Sequence, residues 1–105
     1  MVGSRLTVSP KADTDLAGIG AFIAERDGTA RADAVVKRIQ RTMLNLAFMP
    51  GMGRHRSYLE QGARAFSAAP WVIVYELKPD GDGIAVLRVV DGRRDLLKLF
   101  AEKKP

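Results

Sequence analysis

The sequence predicts an α+β domain: an N-terminal strand, an antiparallel helical hairpin packed on a small, mainly antiparallel sheet, and a short C-terminal helix or tail. Three observations carry this. Two consecutive stretches place apolar residues at helical spacing, with one glycine break between them. Two runs rich in β-branched and aromatic residues follow, WVIVYEL and IAVLRVV, separated by the turn-forming KPDGDG. A short alternating segment, SRLTVS, precedes the helices. The 105 residues fit one domain, 1–105, and a hydrophobic content of 47% is ordinary for a packed core.

Leu6 and Val8 give the first strand its buried side. Ser9 is placed to cap the first helix, and Pro10 suits the opening turn, where no N–H is needed. Ala12, Leu16, Ile19 and Ile23 then form one apolar stripe, which Phe22 widens; Gly18 and Gly20 suit a close approach by a second helix. Gly28 breaks the pattern and Thr29 is a candidate cap for the next helix. Along that helix Ala32, Val35, Val36, Ile39, Met43, Leu46 and Ala47 share a face, and Pro50-Gly51 ends it. A strand is expected near Arg64, a turn at Ala69-Pro70, and then strands at Trp71–Leu77 and 84–90, giving a three-stranded antiparallel meander. Both alternating sets of the middle strand are apolar: Trp71, Ile73, Tyr75 and Leu77 on one side, Val72 and Val74 on the other. One face therefore meets the helices, and the other needs the tail or another protein to cover it.

Composition removes several classes of chemistry. The absence of cysteine excludes disulfides and thiolate metal sites, and a single histidine cannot by itself hold zinc; no metal or cofactor is expected. No apolar run approaches the ~20 residues of a membrane span, and no signal-like segment opens the chain, so a cytoplasmic protein without a membrane partner is expected. A net charge of +5 and a pI near 10.0 favour nucleic acid or an acidic protein as partner without choosing between them.

Candidate binding residues cluster late in the chain. Arg93 and Arg94 follow the Asp91-Gly92 turn, where two guanidinium groups reach one surface. They meet carboxylates or phosphates of a partner, or they pair with Asp91 or Asp95 and stay solvated. Arg88 interrupts an apolar strand, so it faces the open side of the sheet or pairs with a carboxylate such as Glu76. Arg54, His55 and Arg56 sit beside Gly51 and Gly53, with Arg64 soon after; the loop suits phosphate but lacks P-loop spacing, and an exposed connector is the plainer reading. Tyr75 reads as core with its hydroxyl satisfied, and Trp71 as core or a partner contact. If 95–103 is helical, Leu96, Leu99 and Phe100 share a face that packs on the sheet or accepts a partner, with the arginine pair at its rim.

The order of elements, together with SPKADTDLAGIGAFIAE, LAFMPGMGRHR, VIVYEL and VLRVVDGRRDLLKLF, resembles the ParE/RelE superfamily of bacterial toxins over residues 6–100, and most of all its ParE-like branch. The resemblance implies the toxin of a type II toxin–antitoxin system, of the kind linked to plasmid stabilisation. Such a toxin inhibits DNA gyrase by protein–protein binding. It is neutralised by a cognate ParD-like antitoxin in a hetero-oligomer, and operator DNA is contacted only through that antitoxin. Arg64, Trp71, Tyr75, Arg88, Arg93, Arg94, Leu96, Leu99 and Phe100 are the expected target- or antitoxin-binding residues.

The RelE branch offers a second activity, ribosome-dependent mRNA cleavage, which uses a tyrosine or histidine near the C-terminus. Here the segment after Arg94 is DLLKLFAEKKP, with neither residue, so the balance leans away from an enzyme. In a nuclease of this type Arg88, Arg93 and Arg94 would clamp phosphate and Tyr75 would transfer the proton. A third alternative is an inactive toxin fold acting as co-repressor with its antitoxin.

Overall fold

The computed structural model describes residues 5–101. The chain runs β1 (Leu6–Val8), α1 (Pro10–Asp27), α2 (Thr29–Phe48), a 3₁₀ turn (Pro50–Met52), β2 (Ala63–Ala68), β3 (Trp71–Leu77), β4 (Ile84–Asp91) and α3 (Leu96–Ala101). One sheet has the order β1-β4-β3-β2. The meander β2-β3-β4 is antiparallel, and β1 pairs parallel with β4, Leu6 opposite Ile84. The order of elements is the expected one. The expected extension of the last helix to Lys103 lies outside the described residues.

Local chemistry explains the helices. The Ser9 hydroxyl accepts from the Ala12 N–H at 3.0 Å, and Pro10 occupies the first turn. Most of the predicted stripe is buried, Ala12, Leu16, Ile19 and Ile23 on α1 and Ala32, Ile39, Met43, Leu46 and Ala47 on α2, while Val35 and Val36 of the same stripe are half-buried. Each fully buried aliphatic side chain of this kind contributes about 1.5–3 kcal/mol over leaving it in water. Two details differ from expectation. Phe22 is 50% exposed and lines a groove beside β4 instead of entering the core. Thr29 makes no capping bond; Gly28 alone joins the helices, at φ 92°, ψ 163°, a conformation that side chains disfavour, and donates its N–H to Ala24. Of the two α1 glycines, Gly20 lies against Val36 while Gly18 faces open space.

The sheet uses its faces unequally. Phe66, Ala68, Trp71, Ile73, Tyr75, Ile84, Val86 and Val89 pack toward the helices. Leu59, Ala63, Ala65 and Val74 form a second cluster, joined by Tyr58, Val72, Leu87 and Phe100. α3 therefore brings Phe100 to the face that the sequence left needing a cover. Leu77 departs from its expected set and is 43% exposed at the strand end. A bulge in β4 sets Val74 opposite Arg88 but Tyr75 opposite Val86, leaving Leu87 as the extra residue. In an unbroken strand Val86 and Val89 would point to opposite sides; the bulge lets both reach the helical core.

Two glycine substitutions should separate space from helix propensity. Gly18→Ala should raise stability by roughly 0.5–1 kcal/mol, because a methyl there meets nothing. At Gly53 a Cβ would fall onto the Tyr75 ring, so Gly53→Ala should cost about 1–3 kcal/mol. Urea midpoints of both variants measure the two effects, and equal shifts in one direction would contradict this packing.

Candidate interaction surfaces

β1 covers only part of the outer edge of β4, and the first turns of α1 satisfy the edge that remains. The Ser9 N–H donates to Val86 O at 2.9 Å and its hydroxyl to Leu87 O at 2.9 Å. One turn further along, the Asp15 carboxylate accepts the Val89 N–H at 2.9 Å. It also holds Arg88 by two bonds, Nε to Oδ2 at 2.8 Å and Nη2 to Oδ1 at 3.1 Å. Both side chains are largely withdrawn from water, 13% and 15% exposed, so the fork is worth more than a surface pair and its loss costs more. This corrects the expectation for Arg88. Its partner is on α1, not Glu76, which lies opposite Ala85, and the bulge is what turns it to the strand edge.

Two grooves flank this clasp. The first, about 360 Å³, runs between α1 and β4; Gly18, Ile19, Phe22, Trp71 and Val89 form its apolar part, with Arg88 and Arg94 alongside. The Arg26 guanidinium lies over the Phe22 ring, 5.3 Å from its centroid. The second, about 390 Å³, lies on the outer sheet face against Tyr58, Leu59, Val74, Leu87 and Phe100, with charged rims at Lys11, Arg88, Glu60 and Glu76. Tyr58 and Phe100 meet there, ring centroids 5.6 Å apart.

The expected site residues divide between these places. Trp71, Arg88 and Arg94 share the first groove; Arg88 and Phe100 share the second. Leu96 and Leu99 are half-buried on the same side of α3 as Phe100, while Leu97 is exposed. Arg94 makes no ion pair among the described residues. Arg93 is held back on its own turn, Nε to Asp91 Oδ1 at 2.9 Å and Nη2 to Oδ2 at 2.8 Å. These bonds bring the Asp91 carboxyl down to about 2 from 3.8. Arg64 reaches Gly53 O at 2.9 Å and lines a separate hollow with His55 and Glu76.

Tyr75 leaves the surface set. It is fully buried; its hydroxyl donates to Pro50 O at 2.6 Å and accepts from the Gly53 N–H at 2.8 Å. Burial raises its pKa, and Gly53 and Arg64 partly offset that. The residue pins the turn after α2 to the sheet. Of the four residues named for a nuclease, Arg88 and Arg94 share the first groove, but Arg88 is forked to Asp15, Arg93 to Asp91, and the Tyr75 hydroxyl is buried on Pro50 and Gly53. Among the described residues there is no metal-holding cluster and no helix long and apolar enough to cross a membrane.

Sequence reasoning missed Asp15, Tyr58, Leu59 and Leu87. Asp15 lies on α1 beside the apolar stripe, and no local signal marked its role. Tyr58 and Leu59 were hidden in what looked like a polar connector. Trp71 is buried, at 8%, so it contributes little exposed surface to the first groove.

Comparison with known proteins bears on these surfaces. The family model described as "ParE toxin of type II toxin-antitoxin system, parDE" matches residues 6–96. Toxin ParE3 of Caulobacter vibrioides is 35% identical over 89 residues, covering 85% of this chain and 87% of that protein. A structure titled as the chromosomal ParDE TA system from P. aeruginosa superposes with a TM-score of 0.69 at 24% identity, over 82% of this chain and 92% of the other.

Two outcomes test the clasp and the turn. Asp15→Ala leaves a largely buried guanidinium and the Val89 N–H without a partner, and should cost about 3 kcal/mol in a urea titration; a loss below about 0.5 kcal/mol would mean water serves equally well. The Asp91 carboxyl should titrate near 2 by carbon-detected NMR and move up toward 3.8 in Arg93→Ala. Because the folded value is the lower one, any stability from this exposed pair is present above pH 3.8 and lost as pH falls through about 2.

Proposed function

This chain belongs to the ParE toxin family of type II toxin–antitoxin systems, and from that membership we propose that it inhibits DNA gyrase by protein–protein binding and is neutralised by a ParD-like antitoxin. The observation that carries the proposal is the family match across residues 6–96, which takes in both grooves except Phe100. The dispersal of Arg88, Arg93 and Tyr75 among internal partners supports binding over RNA cleavage, since Arg88 and Arg93 are tied to carboxylates and the Tyr75 hydroxyl is already bonded to Pro50 and Gly53.

The antitoxin reading rests on what the grooves offer. Each is an apolar trough with charge at its margin, suited to a segment that inserts aliphatic side chains and sets carboxylates against Arg94, Lys11 or Arg88. The exposed Phe22 and the unpaired Arg94 lie on the first groove, which makes it the favoured docking site. Gyrase and its antitoxin competitor would meet the protein in the cytoplasm, as a hetero-oligomer in the neutralised state, with operator DNA reached through the antitoxin.

Supercoiling by purified gyrase should fall on addition of the antitoxin-free protein, while mRNA on programmed ribosomes stays intact. Codon-phased cleavage with normal supercoiling would replace this proposal by the nuclease, and no effect in either assay would leave the co-repressor. Arg94→Glu should weaken antitoxin binding about tenfold or more in a calorimetric titration, and Phe22→Ala by a similar factor; unchanged affinity in both would move the docking site to the outer sheet face.

A further inference from the structure

Arg54, His55 and Arg56, in the loop after α2, line neither groove, yet their backbone is firmly held. β2 is the outer strand of the sheet, and its free edge is dressed by this loop. The Arg54 backbone pairs with Ala65 in both directions, at 3.0 and 2.8 Å. Nδ1 of His55 lies 3.0 Å from Ala63 O, and Arg64 holds Gly53 O at 2.9 Å. At the other end of the same strand Arg38, from α2, reaches Ala69 O at 3.2 Å. β2 thus carries guanidinium groups along its length, Arg38 at its end, Arg54 at its middle, and Arg56 beyond His55 at its start.

The side chains of Arg54 and Arg56 make no bond to any described residue, and both residues are exposed. Glu60 and Glu76 are the carboxylates nearest this row in the chain and the sheet, and neither forms an ion pair among the described residues. Six strand residues span ~20 Å, several phosphate steps of a nucleic-acid strand. Fixed backbone attachments lower the ordering cost of such a row, since the loop need not fold on contact. No exposed aromatic side chain accompanies the cations on the described part of this edge, so there is no platform for stacking unpaired bases.

We infer that the β2 edge is a binding surface of the protein's own for the phosphate backbone of duplex DNA, read without regard to sequence. The surface is independent of the gyrase proposal: a protein that never met gyrase would still bind DNA here, and a gyrase inhibitor could lack it.

Fluorescence anisotropy of a labelled DNA duplex, with the full antitoxin-free chain at several salt concentrations, tests the inference. The logarithm of the affinity should fall linearly with log salt, and Arg54→Gln with Arg56→Gln should reduce the slope by about 1.8, at about 0.9 per phosphate lost, with binding at least tenfold weaker at low salt. Both substitutions leave the Arg54–Ala65 backbone pairing intact. The control removes the same charge elsewhere, Lys11→Gln with Lys98→Gln, and should change the slope by less than half as much. An equal effect of the control pair would overturn the proposal in favour of diffuse attraction. Tighter binding of single-stranded RNA than of duplex would also overturn it, as would absence of DNA binding at 50 mM salt.

Discussion

The Asp15 carboxylate is the constraint on which the arrangement depends. It joins α1 to β4 across 73 residues of chain, taking the one guanidinium inside an apolar strand and a backbone N–H at the open edge of the sheet. A strand edge left unpaired invites other strands. Here a helix side chain closes it, and the same carboxylate removes the cost of withdrawing Arg88 from water. Helix, bulge and edge are therefore solved together. Without the bulge Arg88 would have no reason to lie at the boundary, and the two grooves would not share a wall.

Tyr75 performs the corresponding task on the other side of the molecule. A phenol in the core must place its hydroxyl, and it does so on the backbone of the turn that leaves α2. That fixes where the following loop begins, and hence where Arg54, His55 and Arg64 emerge along β2. Core packing and surface charge are coupled through one side chain.

Local periodicity made much of this legible. Ala12, Leu16, Ile19 and Ile23 were readable because helical spacing repeats within a few residues, and the meander because β-branched runs alternate with turn residues. The need for a cover on the outer sheet face followed from the doubly apolar WVIVYEL, and Phe100 supplies part of it. What stayed hidden was decided by distant parts of the chain. The partner of Arg88 lies on another element, so a cross-strand carboxylate was the natural but mistaken choice. The bulge at Leu87 leaves no mark in IAVLRVV, where neither glycine nor proline signals it. Phe22 looked buried because a helical stripe predicts direction, not how far the opposing surface extends.

The parallel pairing of β1 with β4 has a consequence for how the molecule comes into being. Leu6 cannot meet Ile84 until the chain has been made through β4, whereas the helical hairpin is built from neighbours joined by one glycine. Closing so long a loop costs entropy that short-range contacts do not pay, although each doubling of its length adds only about 0.6 kcal/mol. The hairpin and meander therefore suit an early stage, and the N-terminal strand a late one. During synthesis the groove between α1 and β4 has no second wall until the ribosome has passed residue 91. The groove is therefore a late product of folding, whatever fills it.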